Sequence, residues 1–365
     1  MTKILVIKLG AKGDLVRTLG IAKALKEKYP ERKVVWVTKS SNKEIVKANK
    51  YIDSVFSLEE RKEVLGEEFE LALNLDIDKE ATALIGEVKA KEKRGFYAEG
   101  EYAQAYLPEG EYYLNTMFDD ELKKSNKRTY QEMIFASAGL KHDAKKYKLE
   151  VAIGSNEKKY ALEFAKKNGL AGIENSKENN PDSLEFSKGQ FSKTRGTDQR
   201  IAHKKTIGLH IGSSPRWPSK AWHVERVFEF VKLAKSKGYE VILFSGADDK
   251  ERAKLLVDKF NREKIKVVTN NPENSDLEFA GLISLCEVVV CADSFALHLA
   301  LALNKKVVCL FFCTSADEIE GYGLLKKIVS KKLYDFFPER MNVYDEELTK
   351  SISADEVMRD VESFL

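Results

Sequence analysis

The sequence predicts an α/β protein made of two doubly wound, Rossmann-like domains that face one another across a cleft. Two series of alternating strand-like and helix-like stretches indicate this, one before residue 150 and one that begins at Thr206. Between them, residues 171–205 are polar and rich in Asn, Ser, Lys and Gly, which is typical of a solvated linker or insertion. A chain of 365 residues is long enough for two domains with separate cores.

In the first series, short apolar and β-branched runs alternate with stretches of helical spacing. The predicted strands are Lys3–Leu9, Val34–Thr38, Ser54–Phe56 and Leu71–Leu75, and the first predicted helix is Leu15–Lys28. Continuous apolar runs are typical of parallel strands that are buried on both faces. We therefore predict an N-terminal Rossmann-like domain over residues 1–170.

The second series repeats this pattern after the polar segment. Its predicted strands are Thr206–Ile211, Tyr239–Ser245, Glu287–Cys291 and Lys306–Phe311, with helices near His223–Lys237 and up to Phe260. These elements predict a C-terminal Rossmann-like domain over residues 206–350. A helix within residues 351–365 follows, and Ser353 is its expected N-cap.

Composition and charge argue against several classes of function. The 61 basic residues nearly balance 58 acidic ones, whereas a dedicated nucleic-acid binder is strongly basic. No apolar run approaches the ~20 residues of a spanning helix, and the N-terminus lacks a signal-peptide cleavage site. We expect a cytoplasmic protein, with any membrane contact being peripheral and at the inner face of the cytoplasmic membrane. The cysteines fit no zinc pattern, so buried thiols are expected at Cys286, Cys291, Cys309 and Cys313.

Ligands of doubly wound sheets bind beyond the carboxyl ends of the strands, so the loops there are the candidate sites. The first is Gly10–Asp14, which matches neither a Walker loop nor GxGxxG. Asp14 is open to two interpretations. It is an N-cap of the next helix, worth about 1 kcal/mol, or a general base that faces the cleft, and one carboxylate can fill both roles.

Two loops of the second half carry groups that suit a sugar linked to phosphate. The stretch IGSSPRWPSKAW supplies serine hydroxyls together with Arg216 and Lys220, a combination that favours an anion. The acidic residues of SGADDKERAK either cap the following helix or accept hydrogen bonds from sugar hydroxyls.

A third loop of the second half, CADSFALHLALAL, opens an apolar helix. Asp293, Ser294 and His298 cluster at the polar start of that helix, where free N–H groups favour a diphosphate. By contrast, the DID stretch at Asp76–Asp78 has too common a spacing to indicate a metal, and no metal site is predicted.

Together these stretches resemble glycosyltransferase family 9, the bacterial heptosyltransferases of lipopolysaccharide core assembly, over nearly the full chain. The resemblance rests on ILVIKLGAKGDLVRTLGIAKALKEKYP, YIDSVF, FELALNLD and KRGF in the first half. It continues in order with IGLHIGSSPRWPSKAWHVERV, VILFSGADDKERA, DSFALHLALAL and LFFCTSADEIEGYG. Each stretch is modest alone, and their order and spacing carry the resemblance.

The resemblance implies a GT-B fold and an inverting, metal-independent sugar transfer that needs no cofactor. The donor would be a nucleotide-diphospho-sugar, by family default ADP-heptose, and the acceptor a glycan or glycolipid of the lipopolysaccharide core. It further implies that the N-terminal domain binds the acceptor through Gly13, Asp14 and Thr18, with Asp14 as general base. Lys220 would stabilise the diphosphate leaving group in the C-terminal, donor-binding domain.

The same resemblance implies a set of further residues around the donor. They are Ser213, Ser214, Trp222, Gly246, Glu251, Asp293, Ser294, Phe295, Ala296 and His298. After the Gly-Ala pair, Asp249 and Glu251 are both candidates for the acidic residue that binds the ribose or sugar.

Phe295 departs from the pattern, because the family usually has glycine there. Phe312 and Cys313 also stand where Gly-Pro is common. A bulky side chain where the backbone should approach phosphate motivates the alternative of a degenerate member that binds nucleotide or glycan without turnover. Nucleotide-sugar epimerisation on the same fold would require turnover without an acceptor.

Overall fold

The structure is a computed structural model that describes residues 2–170 and 205–365. Within these ranges the chain forms two sheets of six strands each. The predicted polar segment at 171–205 lies outside the described residues except for Lys205.

The first sheet contains the predicted parallel strands in the order β3-β2-β1-β4-β5-β6, and only its edge pair β5–β6 is antiparallel. Its strands are β1 (Lys3–Ile7), β2 (Lys33–Thr38), β3 (Ser54–Ser57), β4 (Glu68–Asn74), β5 (Lys89–Glu99) and β6 (Tyr102–Ala105). The helices of this half are α1 (Lys12–Thr18), α2 (Gly20–Lys28), α3 (Lys43–Lys47), α4 (Arg61–Leu65), α5 (Lys79–Glu87), α6 (Pro108–Asn115), α7 (Asp120–Ser125), α8 (Tyr130–Ser137) and α9 (Ser155–Asn168).

The second sheet has parallel neighbours throughout, in the order β12-β11-β10-β7-β8-β9, which is the strand order of a Rossmann domain. Its strands are β7 (Thr206–His210), β8 (Glu240–Phe244), β9 (Val268–Thr269), β10 (Val288–Ala292), β11 (Lys306–Phe311) and β12 (Leu325–Val329). The helices of this half are α10 (Val224–Ser236), α11 (Lys250–Arg262), α12 (Asp276–Ser284), α13 (Phe295–Ala302), α14 (Glu346–Lys350) and α15 (Ala354–Glu362).

Each sheet is covered on both faces, and this explains its continuous apolar strands. In β1, Ile4 and Val6 pack into one core while Leu5 and Ile7 pack into another on the opposite face, because successive side chains of a strand alternate. All four side chains are fully buried. The predicted α/β class with two doubly wound sheets is confirmed.

Two of the predicted helices can be compared directly with the observed ones. The predicted helix Leu15–Lys28 is divided at Leu19 into α1 and α2, and α1 begins earlier than expected, at Lys12. Ser353 caps α15 as predicted, since its side chain accepts a hydrogen bond from the Glu356 backbone N–H.

Two further findings concern the cysteines and the possibility of a membrane-spanning helix. The four cysteines are buried free thiols, as predicted. Among the described residues, no helix combines the length and apolarity needed to cross a bilayer.

The topology brings the ends of two particular strand pairs together. The strand order reverses between β1 and β4 in the first sheet and between β7 and β10 in the second. Ligands of such sheets bind in the crevice beyond these reversal points. Helix α1, which follows β1, packs directly against α13, which follows β10, so the two crevices open onto one shared cleft.

Two ion pairs join the two halves of the chain. Lys12 pairs with Asp276 at 2.7 Å, and Lys127 pairs with Asp317 at 2.7 Å. Helix α9 precedes the polar segment in sequence but packs on α12, where Gly281 allows close approach to the carbonyl of Glu157. The halves are therefore held face to face in this structure.

Candidate active site

A buried ion pair fixes the loop that follows β1. Lys8 Nζ donates to Asp76 Oδ1 at 2.8 Å and to the Leu75 carbonyl at 3.0 Å. The other carboxylate oxygen of Asp76 accepts the backbone N–H groups of Leu9, at 2.5 Å, and Gly10, at 2.8 Å. Asp76 therefore clamps the loop that leads to α1. This clamp could not be predicted from local sequence, because it joins the ends of two strands that are distant along the chain.

Replacing Asp76 by alanine is expected to destabilise the fold by about 3 kcal/mol, because Lys8 would stay buried without its counter-ion. The measurement is urea unfolding at neutral pH. Asp78→Ala is the matched control, since Asp78 is exposed and makes no side-chain cap bond to α5. Equal unfolding free energies for the two variants would contradict the clamp.

Asp14 lies in the first turn of α1, and its carboxylate is directed at Arg17. The N-cap of α1 is Ala11 and no side chain caps the helix, so the prediction that Asp14 is an N-cap is wrong. Asp14 Oδ1 instead accepts a hydrogen bond from Arg17 Nη2 at 2.7 Å. The side chain of Asp14 is 42% exposed, which leaves it accessible to a ligand in the cleft.

The charges around Asp14 keep it ionised. Partial burial raises the pKa of Asp14, but the positive charges of Arg17 and Lys8 lower it more, and the net pKa lies below its ordinary value. Asp14 is therefore a carboxylate at neutral pH, the form that a general base needs.

Tyr130 supports the Asp14–Arg17 pair. The Arg17 guanidinium stacks over the Tyr130 ring at 3.8 Å, and the Tyr130 hydroxyl lies 2.9 Å from Thr18 Oγ1. Thr18 is fully buried and also donates to the Asp14 carbonyl at 2.7 Å. Thr18, predicted to bind an acceptor, therefore holds the helix and Tyr130 in place and does not face the cleft.

Gly13 lies at the contact between α1 and α13. A Cβ atom at Gly13 would lie 3.1 Å from Cδ2 of His298. Gly13 was predicted on the acceptor side, and in the structure it lies against the second half of the chain. Its lack of a side chain is what lets the two helices touch.

Gly13→Val is expected to push α1 and α13 apart and to reduce turnover about tenfold or more. The reason is that Asp14 on α1 would move away from the groups at the start of α13. Far-UV circular dichroism should be unchanged, while small-angle scattering should show a larger radius of gyration. Gly86→Val is the matched control, since Gly86 also lies in a helix and has open space at its Cβ position. Identical turnover in both variants would argue against this role.

In the second half, three predicted residues come together. Lys220 Nζ lies 3.1 Å from Asp293 Oδ2, and His298 Nε2 lies 3.7 Å from Asp293 Oδ1. Burial raises the pKa of Asp293, but Lys220 and His298 outweigh it and hold the pKa far below its ordinary value. Burial lowers the pKa of His298, which is nearly inaccessible. A charged lysine and carboxylate thus lie at the reversal point of the second sheet.

The start of α13 offers free donors beside this cluster. Ser294 occupies the N-cap position, and its buried hydroxyl has no hydrogen-bond partner among the described residues. The first N–H groups of a helix, here those of Phe295 and Ala296, also lack partners within the helix. An anionic group would satisfy these donors.

The Phe295 ring belongs to the contact between the two halves. It packs against Phe279, with ring centroids 6.2 Å apart, and the Lys12 ammonium lies 5.8 Å from its centre. Lys12 itself reaches across from α1 to Asp276. The bulky residue that departs from the family pattern therefore fills space at the domain contact.

The loops after β7 and β8 are joined by Asp249. Its Oδ2 accepts the backbone N–H of Gly246 at 3.2 Å, and its carboxylate lies so close to Gly212 that any side chain there would overlap it. Burial raises the pKa of Asp249. Of the two acidic candidates, Asp249 contacts the loop after β7, whereas Glu251 is exposed at the start of α11.

The serines of this loop differ in exposure. Ser213 is half-buried, next to the position where Asp249 meets the loop, whereas Ser214 is exposed. Ser214 Oγ accepts the Arg216 backbone N–H at 3.3 Å, so its hydroxyl stabilises the turn. Ser213 is therefore the better placed of the two to face the cleft.

The Trp222 side chain is buried in the core of the second half, and its part in donor binding stays a prediction. The side chain is 4% exposed, its indole N–H donates to the Ile352 carbonyl at 3.0 Å, and it packs on Phe230. An indole needs a hydrogen-bond partner when it is buried, and here the C-terminal segment supplies it.

The two halves thus present complementary chemistry to one cleft. The first supplies an accessible carboxylate, Asp14. The second supplies a cation, Lys220, and the free donors at the start of α13. A proton acceptor opposite an anion site is what displacement of a phosphate leaving group by a hydroxyl requires.

Comparisons with known proteins agree with this arrangement. The family model described as glycosyltransferase family 9 (heptosyltransferase) matches residues 59–342. Lipopolysaccharide heptosyltransferase 2 of Escherichia coli strain K12 is 30% identical over 135 residues, or 37% of this chain and 38% of that protein. Its Salmonella typhimurium counterpart is 32% identical over 114 residues, or 30% of each chain. These matches span well under half the length of the curated relatives.

Solved structures match over the whole chain. A glycosyl transferase family 9 protein from Veillonella parvula has a TM-score of 0.71 at 16% identity, with 100% of this chain and 97% of that one covered. Escherichia coli ADP-heptose lps heptosyltransferase II has a TM-score of 0.70 at 16% identity, with coverage of 100% and 98%. Escherichia coli heptosyltransferase WaaC with ADP has a TM-score of 0.61 at 14% identity and full coverage of both chains. The predicted GT-B fold is confirmed.

Proposed function

Because the chain belongs to glycosyltransferase family 9, we propose that it transfers a sugar from a nucleotide-diphospho-sugar to a glycan of the lipopolysaccharide core. The observation that supports this best is that α1, which carries Asp14, packs against α13, at whose start the Lys220–Asp293–His298 cluster lies. ADP-heptose is the proposed donor, since solved structures of WaaC hold ADP and ADP-2-deoxy-2-fluoro heptose. We propose a cytoplasmic location, with peripheral membrane contact where the acceptor is lipid-linked.

The donor diphosphate is proposed to bind at the start of α13. The Ser294 hydroxyl, which has no hydrogen-bond partner within the described part of the chain, and the first N–H groups of the helix would hold its oxygens. Lys220 would meet the negative charge that develops on the leaving diphosphate, with Asp293 keeping the ammonium in place. These groups supply positive charge from the protein itself, which supports a mechanism that needs no metal ion.

The acceptor hydroxyl is proposed to approach from the first half. Asp14 takes its proton as the hydroxyl oxygen bonds to the anomeric carbon, and the bond from that carbon to the phosphate oxygen breaks. The electron pair of that bond leaves with the nucleoside diphosphate. Attack from the face opposite the leaving group inverts the anomeric configuration.

The test is to incubate the protein with ADP-heptose and a heptose-deficient lipopolysaccharide core, and to follow ADP release. UDP-, GDP- and CDP-sugars serve as matched donors, and NMR of the product reports the anomeric configuration. Retention of configuration would contradict the direct displacement. Absence of nucleotide release with every donor would contradict the transferase function.

Phe295 supports a second candidate, a family member that binds nucleotide without turnover. Its ring stands where the family has glycine, at the start of the helix proposed to meet phosphate. Calorimetric binding of ADP with no consumption of any donor would favour this candidate. Turnover that appears only in a Phe295→Gly variant would identify the side chain as the cause.

A further inference from the structure

Arg17 lies beside the proposed general base, and the proposed mechanism does not use it. It follows Asp14 by three residues on α1, so the two side chains share one face of the helix. Arg17 Nη2 donates to Asp14 Oδ1 at 2.7 Å, and among the described residues this is the hydrogen bond that the carboxylate receives. Asp14 Oδ2 is thereby left to a ligand in the cleft, since the side chain is 42% exposed.

The guanidinium of Arg17 is held by an aromatic ring. It lies 3.8 Å from the centre of the Tyr130 ring, and a planar cation stacked on an aromatic face keeps one orientation. Tyr130 is buried, and its hydroxyl lies 2.9 Å from Oγ1 of Thr18, the residue that follows Arg17. The ring therefore fixes the guanidinium, and the guanidinium fixes the Asp14 carboxylate.

One donor of Arg17 has no partner in this arrangement. Nε is buried, and no described residue accepts a hydrogen bond from it. A buried donor without a partner is costly, so an arginine that only stabilised the fold would be expected to satisfy it. The position of the guanidinium is explained instead by its contacts with the Asp14 carboxylate and the Tyr130 ring.

Arg17 has two opposite effects on a general base. Its positive charge lowers the pKa of Asp14, and a lower pKa makes the carboxylate a weaker base. Its hydrogen bond restrains a side chain that would otherwise turn about two torsions, and a fixed reacting atom raises the rate. The ordinary aspartate pKa of about 3.9 already lies far below neutral pH, so the guanidinium is not needed for ionisation there. Orientation is the benefit that remains.

We propose that Arg17 is a positioning residue for the proposed sugar transfer. It holds Asp14 through Oδ1, so that Oδ2 is the oxygen that receives the proton. The proton moves from the acceptor hydroxyl to Oδ2 as the hydroxyl oxygen bonds to the anomeric carbon. This inference rests on the proposed transferase function, and it assigns no contact between Arg17 and the substrates.

The test measures kcat at pH 7 by ADP release, with ADP-heptose and a heptose-deficient lipopolysaccharide core at saturation. Arg17→Met removes both the charge and the hydrogen bond, and it should lower kcat about tenfold or more. Arg17→Gln keeps a donor without the charge, and Arg17→Lys keeps a donor with it, so both should recover part of this loss. If Arg17 acted through its charge alone, Asp14 in Arg17→Met would be a stronger base and kcat would be unchanged or higher. That result would overturn the proposal, and so would the absence of recovery in both donor variants.

The pH profile distinguishes positioning from a general loss of structure. The other groups whose charge reaches Asp14 are Lys8, at the end of β1, and His298, on α13. Loss of the Arg17 charge raises the pKa of Asp14, so the acid limb of kcat/KM should move to higher pH in Arg17→Met and Arg17→Gln alike. In Arg17→Lys the limb should stay near its original position. Acid limbs that coincide in all of these proteins would contradict the contact between Arg17 and the reacting carboxylate.

Arg128→Met is the matched control. The Arg128 guanidinium also lies over a tyrosine ring, 4.0 Å from the centre of Tyr112, but the residue is exposed. Its replacement should leave kcat and the acid limb unchanged, and a loss equal to that of Arg17→Met would overturn the specific role. Absence of ADP release from the unsubstituted protein would instead contradict the proposed function itself.

Discussion

Asp14→Asn is expected to lower kcat by about a thousandfold while ADP binding stays unchanged. A carboxamide keeps the shape of the side chain but cannot take a proton from the attacking hydroxyl. The measurement is ADP release at saturating donor and acceptor, with calorimetry for the nucleotide. Full turnover in this variant would rule out the assignment of Asp14 as the general base.

Two further variants distinguish the loss of a general base from the mere loss of a negative charge in the first turn of a helix. Asp120→Asn makes the same change in the first turn of α7, where the residue is exposed, and turnover should not change. Asp14→Glu retains a carboxylate on a longer side chain and should recover part of the lost turnover. Because the pKa of Asp14 is lowered, the acid limb of kcat/KM should lie below the ordinary aspartate value of about 3.9.

The strands could be predicted well because burial on both faces leaves a clear pattern in the sequence. Predicted Val34–Thr38 and observed β2 (Lys33–Thr38) differ by one residue. The division between α1 and α2 could not be predicted in this way, because the helical spacing of apolar residues continues through Leu19. The edge strand β6 is short and half-buried, so its alternation is weak.

The candidate site could be predicted in part, for a reason that lies in topology. Asp14, Lys220 and Asp293 follow strands at the reversal points, and strand order places such loops together. Trp222 also lies in a loop that follows a strand, but the direction of its side chain depends on the hydrogen bond that its indole N–H donates to the distant carbonyl of Ile352. Pairings between residues far apart in sequence decide which side chains of a loop reach the cleft.

The same limit explains the residues that sequence reasoning missed. In the sequence, Lys8 lies at the end of an apolar strand, and Asp76 belongs to an acidic stretch of common spacing. Neither pattern indicates that the two residues pair. Arg17 and Tyr130 are distant along the chain, and the guanidinium stacks over the ring only in the folded protein. Each depends on a tertiary contact that no local pattern encodes.

Lys220→Met is expected to lower kcat by a hundredfold or more, because no ammonium would then meet the charge on the leaving diphosphate. The same variant should lose about 3 kcal/mol of unfolding free energy, since Asp293 is 15% exposed and would remain largely buried without its counter-ion. Lys237→Met is the matched control in the same half. Its ion pair with Glu362 is 2.8 Å long and exposed on the surface, so the loss should be within about 0.5 kcal/mol.

The loss of stability and the loss of catalysis can be separated with Asp293. In Asp293→Asn, Lys220 keeps its charge but loses its anchor, so stability should fall while kcat falls less than in Lys220→Met. The double variant should lose less stability than the sum of the single variants, because the residues share one interaction. Additive losses would contradict direct coupling between Lys220 and Asp293.

The pH dependence of unfolding gives an independent check on this pair. The pKa of Asp293 is lower in the folded protein than in the unfolded chain, so its contribution to stability is present above about pH 4. That contribution is lost as the pH falls toward the folded pKa, because the unfolded chain binds the proton first. Lys220→Met removes the main cause of the lowered pKa, so its unfolding free energy should fall less steeply in acid than that of the unsubstituted protein. Parallel acid profiles for the two proteins would show that the Lys220–Asp293 pair does not hold the carboxylate ionised.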